Sequence, residues 1–314
     1  MTVRLYWTDK NLGEEGHYVY RSDTPMDPNN LPTPLATLGV DVQEYEDNTV
    51  VAGNTYYYRV GAYVGSVVKV TDEVTLVAGA TDMVAGQLDF YYDMSNVTST
   101  EVIDSTGKYN GLLRPVGGEP TQVVLTNGFA LQFNGIDQYL AIEGLFIASD
   151  EEIPVLSAGL WFKTTEVYDQ ILMSFDRSDT FRLGIGSESY TISGGNAGAS
   201  VWTGTEQYDI GSSNKINDDL WHLLVMVYDN GSITLYKDNK VEAAFDIPGA
   251  PSIGPPKLGE NRFGFIGVGS EAIVEDGAKG PEYYFKGLIT KAFMMRRAMK
   301  PEEVMAMYNR GADS

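Results

Sequence analysis

The sequence has 314 residues, of which 43% are hydrophobic and 11% aromatic, and this is enough apolar material for two buried cores. The 43 acidic residues outnumber the 22 basic ones, and the formal net charge of −21 argues against binding to the phosphate backbone of nucleic acids. The absence of cysteine excludes disulfides, thiolate nucleophiles and cysteine-bound metals. The two histidines, His17 and His222, are too few for a zinc site made of three histidines.

No apolar run reaches the length of about 18 residues that a membrane-spanning helix needs. The N-terminal segment MTVRLYWTDK lacks the basic stretch followed by an apolar stretch that is typical of a signal peptide. We therefore expect a soluble protein with no membrane span that is not exported by the usual secretory route.

Short runs of alternating apolar and polar residues predict an all-β fold along the whole chain. In residues 1–78 these runs include VRLYW from Val3, YVY from Tyr18 and YYYRVGA from Tyr56. A proline-rich segment lies between these runs at 22–34. It is not predicted to form a central strand, because proline is excluded from the interior of a sheet. The pattern predicts a small sandwich whose alternate side chains share one core.

The order of these motifs resembles the fibronectin type III family over most of residues 3–78. The resemblance implies that Trp7 is the tryptophan of the second family strand and that Tyr56 is the tyrosine corner, with its hydroxyl bound to upstream backbone. The sequence departs from the family at its start, because only two residues precede Val3 where the family has a further strand. We expect this strand to be missing or supplied by a neighbouring chain, since an uncovered sheet edge invites pairing.

Residues 79–86, GATDMVAG, are small and predict a flexible linker to a second domain over 87–314. In this domain the motif DNG at 229–231 separates two alternating runs, which predicts a tight hairpin because such turns need positive φ values. Near the end of the chain, a short helix is predicted to begin at Pro301 and to stop at Gly311.

Five segments of the second domain are similar, in order and spacing, to the laminin G-like branch of the concanavalin A-like lectin and glucanase superfamily. They are DSTGKYNGLL at 104–113, ALQFNGIDQYLAI at 130–142, WHLLVMVYDNGSITLYKDNK at 221–240, FKGLI at 285–289 and RRAMKPEEVMAMYNRG at 296–311. The resemblance implies a larger jelly roll of two antiparallel sheets. Because such folds host lectins, hydrolases and interaction modules, function has to be inferred from a site.

No acidic motif in the sequence resembles that of the superfamily's hydrolases, which place carboxylates at alternate positions of one strand. The densest acidic run, at 150–152, is predicted to be a solvated loop. His222 follows Trp221 at the start of a predicted strand, where the resemblance implies a packing role. We therefore expect no catalytic residues and no enzymatic activity.

Asp104, Asn134 and Asp137 occupy positions that resemble ligand-rich segments of the superfamily, in which calcium sites recur, and they are candidate calcium ligands. Thr290 and Lys291, however, stand where the family usually has acidic residues, so a cation there would meet an ammonium group. The alternative is that Asp104 and Asp137 cap tight turns with their carboxylates.

Tyr190, Trp202 and Tyr208 lie among small polar residues in the segment 186–214, and they are candidates for stacking on a sugar ring. The alternative for Trp202 is that its indole belongs to the core, because a strand is predicted to begin there. Neither interpretation is excluded by the sequence pattern.

The connection 269–285 is a second candidate surface, because it is longer than the resemblance implies and long loops on a rigid sandwich often carry binding. Its last residues include Tyr283 and Phe285, which also fit the start of the next strand. Both interpretations remain open at this point.

The two predicted domains favour a non-enzymatic structural or adhesion protein that works outside the cell in which it is made. A bacteriophage virion protein, made in the host cytoplasm and released by lysis, is consistent with the lack of a signal peptide and of disulfides. We expect a tail, baseplate or capsid-surface component whose lectin-like domain meets host-surface glycans and whose small domain contacts other virion proteins in an oligomeric assembly. The alternatives are a polysaccharide depolymerase and a secreted bacterial carbohydrate-binding module.

Overall fold

The computed structural model describes the chain in five ranges, namely 3–7, 13–51, 54–77, 87–186 and 195–312. The chain divides into two compact units, the first formed by Met1–Asp82 with Met305–Met307 and the second by Met83–Val304 with Tyr308–Ser314. Antiparallel strands build both units, and the all-β prediction is confirmed. The linker predicted at 79–86 lies outside the described ranges. Within those ranges no helix is long and apolar enough to cross a membrane.

The first unit contains two small sheets that share one apolar core. Its described strands are β1 (Val3–Tyr6), β2 (Gly16–Ser22), β3 (Ala36–Leu38), β4 (Glu44–Asp47), β5 (Thr55–Val64), β6 (Val67–Val70) and β7 (Val74–Val77). One sheet pairs β1 with β4, and the other has the order β3-β2-β5-β6, with β7 also paired to β5. Val19, Tyr56 and Tyr58 are buried at the centre of the core.

The predicted hydroxyl contact of Tyr56 is present in the first unit. Its hydroxyl accepts a hydrogen bond of 3.0 Å from the backbone N–H of Val51. Trp7 packs against the same core. Among the described residues β1 pairs only with β4, so the expectation that a further strand is missing or supplied by a neighbour stays a prediction.

The second unit consists of two large antiparallel sheets. Its described elements are β8 (Leu88–Tyr92), β9 (Glu101–Val102), β10 (Gly111–Arg114), β11 (Thr121–Val124), β12 (Phe129–Asn134), β13 (Tyr139–Ile147), β14 (Val155–Lys163), β15 (Gln170–Ser174), β16 (Phe181–Gly186), β17 (Asn196–Trp202), β18 (Gln207–Lys215), β19 (His222–Asp229), β20 (Ser232–Lys237), β21 (Lys240–Asp246), β22 (Arg262–Ile266), β23 (Lys286–Met295) and α1 (Pro301–Arg310). One sheet has the order β18-β17-β16-β15-β22-β13-β10-β9. The other has the order β11-β12-β23-β14-β19-β20-β21, with β8 also paired to β23.

A single apolar core lies between these two sheets. Leu140 and Leu183 reach it from the first sheet, and Leu156 and Leu224 reach it from the second, all with no exposed surface. This arrangement is the predicted jelly roll. Burial of alternate side chains from two facing sheets is the main source of its stability.

The predicted hairpin and the predicted helix are both present. Asn230 and Gly231 have φ values of 47° and 96° in the turn between β19 and β20. At the start of α1 the carboxylate of Glu303 accepts a hydrogen bond of 2.8 Å from the N–H of Lys300, as in a capping box. The ring of Tyr308 stacks on Trp161 with 5.7 Å between centroids, and this contact docks the helix on the second sheet.

The connection between β22 and β23 covers part of the face of the first sheet that is turned away from the core. Val268 and Ala272 of this connection are fully buried against Ala141 and Phe265 of the sheet. Tyr284 packs on the same cluster. The connection between β22 and β23 is therefore packed onto the sandwich, and its end lies at a defined position on the rim.

Candidate functional site

Three connecting segments meet at one end of the second unit and line a shallow, open cleft of about 510 Å³. They are the turn between β12 and β13, the connection between β14 and β15, and the end of the connection that leads into β23. The residues that line the cleft are Gly135, Tyr168, Asp169, Tyr283 and Tyr284. We call this site the tyrosine cleft.

The turn between β12 and β13 is held by its own side chains. The Oδ1 atom of Asn134 accepts hydrogen bonds from the N–H groups of Ile136 and Asp137 at 2.9 Å and 3.2 Å. Its Nδ2 group donates to the Asp137 carboxylate at 2.8 Å. Gly135 has a φ of 73°, a left-handed conformation that favours glycine. The turn is therefore a defined wall of the cleft.

The connection between β14 and β15 is anchored on both sides of its cleft residues. The hydroxyl of Thr164 donates to the carbonyl of Lys286 at 2.7 Å and accepts from the N–H of Glu166 at 3.1 Å. After the cleft residues, the side-chain carbonyl of Gln170 accepts a hydrogen bond of 2.8 Å from the N–H of Lys286. This connection is thus tied twice to the first residue of β23.

The end of the long connection is held by backbone hydrogen bonds. The carbonyl of Tyr283 accepts from the N–H of Ile171 at 2.8 Å, and the N–H of Phe285 donates to the carbonyl of Gly267 at 2.9 Å. Phe285 is fully buried in the core, whereas Tyr283 lines the cleft. The alternative that these two residues begin the next strand is wrong, because β23 begins after both of them, at Lys286.

Charged groups surround the tyrosines of the cleft. The Lys286 ammonium lies 2.6 Å from the Glu166 carboxylate. Burial and the charge of Glu166 raise the pKa of Tyr168, and burial together with the charge of Asp137 raises the pKa of Tyr284. Both hydroxyls therefore remain protonated at neutral pH and can donate as well as accept hydrogen bonds.

The cleft combines apolar surface with polar groups at its edges. Tyr168 is 41% exposed, and the neighbouring apolar residues Ile136 and Val167 are 73% and 58% exposed. A phenol ring offers a flat apolar face, while its hydroxyl and the Asp169 carboxylate offer hydrogen-bonding groups. A small ligand with both apolar faces and hydroxyl groups is complementary to such a site.

The structure does not bring the predicted stacking residues together. In the register of β17 and β18, Val201 lies opposite Tyr208 and Trp202 lies opposite Gln207. Because neighbouring residues of a strand point to opposite faces, Trp202 and Tyr208 lie on opposite faces of the sheet. Tyr190 lies outside the described residues.

Protein groups already contact both of the described aromatic rings. Trp202 is 9% exposed; its indole N–H donates to the Pro255 carbonyl at 3.1 Å, and the Lys257 ammonium lies 3.9 Å from the ring centroid. The hydroxyl of Tyr208 donates to the Glu206 carboxylate at 2.9 Å. This geometry favours the packing alternative for Trp202.

The carboxylate of Asp104 is surrounded by hydrogen-bond donors. It accepts from the backbone N–H groups of Tyr91, Thr106, Lys108 and Tyr109 at 2.8–3.0 Å. Although burial raises the pKa of Asp104, these hydrogen bonds and the Thr106 hydroxyl outweigh it and hold the pKa below its usual value. The arrangement favours the turn-capping alternative, because N–H donors occupy the oxygens that would bind calcium.

The other two candidate calcium ligands bind each other. As described above, Asn134 donates to Asp137 within the turn that borders the cleft. In the described ranges, no group of three or more acidic or histidine side chains is placed to hold a metal ion. The ammonium of Lys291 donates to the carbonyl of Gly311 at 2.7 Å.

His222 lies between two carboxylates. Its Nδ1 and Nε2 atoms are each 3.1 Å from a carboxylate oxygen, of Asp238 and Asp218 respectively. Burial lowers the pKa of His222, but the two carboxylates outweigh it and raise the pKa above its ordinary value. The imidazole thus links the start of β19 to the turn between β20 and β21. Because both ring nitrogens contact carboxylates, neither is available to activate a nucleophile.

Asp176 and Asp179 have to be weighed as possible hydrolase acids, because glycoside hydrolases hold one carboxyl group with a raised pKa. Burial raises the pKa of Asp176 to about 6, and Asp179 lies beside it. Both carboxylates, however, contact the same guanidinium, with Arg262 nitrogens 2.7 Å and 2.8 Å away. Asp176 and Asp179 are only 1% and 6% exposed, so a polysaccharide does not reach them.

Sequence patterns did not indicate three of the five cleft residues, Gly135, Tyr168 and Asp169, whereas Tyr283 and Tyr284 lie in the connection 269–285 that was a candidate surface. The Asn-Gly pair at 134–135 signals a turn, and the tyrosine before β15 stands in a short connection. Neither signal is specific to a binding site. Only the pairing of distant strands brings these residues together.

A comparison of the sequence with curated proteins returns no match. Solved structures are similar to this chain at low sequence identity. A receptor binding domain has 10% identity and a TM-score of 0.50, covering 74% of this chain and 52% of that one. Domain 4 of the arabinanase AbnA from Geobacillus stearothermophilus, in complex with arabinotriose, has 18% identity and a TM-score of 0.49, covering 71% of this chain and 98% of that one.

The ligand binding domain of botulinum neurotoxin serotype D, in complex with N-acetylneuraminic acid, has 12% identity and a TM-score of 0.48, covering 74% of this chain and 53% of that one. The chain thus spans about half the length of the neurotoxin domain. The Laminin_G_3 model of the concanavalin A-like lectin/glucanases superfamily matches residues 134–305, which is more than half of the sequence and includes every residue of the tyrosine cleft. The chain therefore belongs to the concanavalin A-like lectin/glucanases superfamily.

Proposed function

We propose that this protein is a non-enzymatic glycan-binding protein and that the tyrosine cleft is its binding site. The observation that carries the proposal is the meeting of Tyr168, Tyr283 and Tyr284 with the Asp169 carboxylate around one cleft of about 510 Å³. Sugars have apolar C–H faces that pack on aromatic rings, and their hydroxyls bond to phenol and carboxylate groups. Membership of a superfamily that contains lectins supports the same function.

The anchoring of the cleft supports binding in a second way. The connection between β14 and β15 is hydrogen-bonded twice to Lys286, the end of the long connection is hydrogen-bonded to Ile171, and the third segment is a turn held by Asn134. A ligand that enters such a site does not have to order its walls. Preorganisation of this kind reduces the entropic cost of association.

The wider role that we propose is that of a bacteriophage virion protein. In this proposal the second unit meets glycans of the host surface, and the first unit, which we propose is a fibronectin type III-like domain over 1–78, contacts other virion proteins. The sequence resemblance of the first unit, the Tyr56–Val51 hydrogen bond and the cysteine-free composition support this proposal. Cryo-electron microscopy of purified bacteriophage particles tests this proposal. Density for the chain is expected at a tail, baseplate or capsid surface. Particles that lack the chain would contradict the proposal.

Glycan binding is tested with an array of surface polysaccharides and with calorimetric titration of the glycans that bind. Tyr168→Ala is expected to weaken binding about tenfold, because it removes a stacking surface worth roughly 1–1.5 kcal/mol. Phe146→Ala is the matched control, because Phe146 is also 41% exposed but lies towards the other end of β13. It is expected to bind like the wild type.

Three results would contradict the proposed function. The first is the absence of binding to any glycan, and the second is equal loss of binding in the Tyr168→Ala and Phe146→Ala variants. The third is shortening of a polysaccharide by the wild-type protein, measured by size-exclusion chromatography, which would favour a depolymerase.

A further inference from the structure

We propose that the tyrosine cleft selects uncharged glycans and discriminates against glycans that carry carboxylate, sulfate or phosphate groups. This inference rests on the proposed function and specifies the ligand class of the same site. Two observations support it. They are the net charge of the side chains around the cleft and the fact that carboxylates there accept hydrogen bonds.

Three of the described carboxylates and one described ammonium group lie around the cleft. Asp169 lines it, Asp137 acts on the Tyr284 hydroxyl, and Glu166 acts on the Tyr168 hydroxyl. The ammonium belongs to Lys286, which lies 2.6 Å from Glu166. With the Glu166–Lys286 pair counted as neutral, and with Asp169 left out of the balance because it has a contact of its own, the Asp137 carboxylate keeps the local charge negative.

Lys286 is held where it pairs with Glu166. Its backbone N–H and carbonyl are both hydrogen-bonded, to Gln170 and Thr164 respectively. The hydrogen bond to Glu166 and its charge raise the pKa of Lys286, so the ammonium remains protonated at neutral pH. An anionic ligand would have to compete with Glu166 for this cation.

A cation that contacts the connection leading into β23 is also paired. Arg177 contacts the carboxylates of Glu271 and Glu282, which belong to the connection that leads into β23, and its nitrogen lies 2.5 Å from Glu282. The guanidinium thus holds this connection to the segment that follows β15. It does not supply an open anion site beside Tyr283.

The hydrogen-bonding character of the rim matches a neutral sugar. Ionised carboxylates only accept hydrogen bonds, and sugar hydroxyls are donors that satisfy them. A carboxylate or sulfate on the ligand presents more acceptors and a like charge, which builds repulsion into the site. The formal net charge of −21 on the whole chain adds to the same bias.

The test is an array in which each neutral oligosaccharide is printed beside the same oligosaccharide carrying sialic acid, glucuronic acid or sulfate, probed with the full chain. Neutral members are expected to bind about tenfold more tightly than their acidic partners, the effect of roughly one uncompensated charge contact at the protein surface. Equal or tighter binding of the acidic members overturns the inference but leaves the proposed function intact. Absence of binding to both members overturns the proposed function itself.

A charge variant gives the second readout. Glu166→Gln removes one carboxylate and releases the Lys286 ammonium, so the ratio of neutral to acidic binding is expected to fall several-fold. Glu242→Gln is the matched control, because Glu242 forms a similar pair with Lys237 at 3.3 Å on β20 and β21. An unchanged ratio in Glu166→Gln, or an equal change in both variants, overturns the inference.

Ionic strength provides an independent check on the wild-type protein. Salt screens exposed charges, with a Debye length of about 10 Å at 0.1 M and about 3 Å at 1 M. The difference between neutral and acidic glycans is therefore expected to shrink as salt is raised over that range. A difference that does not respond to salt would contradict an electrostatic origin.

Discussion

The α-carbon of Gly135 faces the hydroxyl of Tyr168, and a Cβ atom on this glycine would lie 2.6 Å from that oxygen. The same Cβ would lie 2.7 Å from the Cβ of Lys286. Gly135 also has a left-handed φ of 73°. One wall of the tyrosine cleft therefore depends on a residue without a side chain, for both steric and conformational reasons.

Gly135→Ala is expected to weaken glycan binding and to destabilise the second unit. The backbone strain alone is worth about 1 kcal/mol, and displacement of the Tyr168 ring adds to it. Gly144→Ala is the control, because Gly144 has a φ of 77° but its nearest contact would be an ordinary 3.6 Å. Unfolding by denaturant and glycan titration should show a larger loss for Gly135→Ala, and equal effects of the two variants would contradict this account.

Asp104→Asn is expected to destabilise the second unit at neutral pH by about 2–3 kcal/mol, because an amide cannot satisfy all the N–H groups that the carboxylate accepts. The pKa of Asp104 is lowered on folding, so this stability is present above the unfolded-state pKa of about 3.9 and is lost as pH falls through the folded-state pKa. Denaturant unfolding of wild type and variant from about pH 7 to about pH 2 should show the difference closing in acid.

Asp150→Asn is the control for that experiment, because Asp150 is exposed. It is expected to leave the free energy of unfolding nearly unchanged at all pH values. A difference between wild type and Asp104→Asn that stays constant down to the lowest pH would show that the carboxylate charge is not the stabilising feature.

Calcium is expected to have no effect on thermal stability. The carboxylate of Asp104 is occupied by backbone donors, and Asn134 and Asp137 bond to each other. Protein dialysed against a chelator and protein with added calcium should unfold at the same temperature in calorimetry. A calcium-dependent rise in the unfolding temperature would contradict the turn-capping role of these residues, since binding to the native state alone stabilises it.

His222 is expected to stabilise the second unit more at acidic than at alkaline pH. Asp238 and Asp218 raise its pKa on folding, so the stabilisation is complete below the unfolded-state pKa of about 6.5 and is lost as pH rises through the folded-state pKa. The difference in unfolding free energy between wild type and His222→Gln should therefore be larger at about pH 5.5 than at about pH 9.

The imidazole itself can be followed by NMR. Its pKa is expected to lie above the ordinary value in the wild type and to fall in Asp238→Asn, because one of the two neighbouring charges is removed. A wild-type imidazole that titrates below the ordinary value would mean that burial outweighs the two carboxylates.

Local patterns in the sequence were sufficient for the class of fold. Alternation along β19 and β20, the Asn230-Gly231 turn and the Pro301 start of α1 are properties of neighbouring residues, and all three are present as predicted. The Tyr56–Val51 hydrogen bond is also local, since the two residues are five apart. Such features follow from backbone geometry and side-chain periodicity, which a short segment carries by itself.

The sequence by itself thus determined the strands, the turns and the superfamily of this protein, whereas the tertiary structure decided which side chains form a site. Trp202 and Tyr208 are close in sequence, yet the register of β17 and β18 turns them to opposite faces. Gly135, Tyr168 and Tyr284 are far apart in sequence, yet they share one cleft because the strands that carry them end at the same rim of the sandwich. Strand pairing over long separations sets these relationships, and no short-range pattern encodes it.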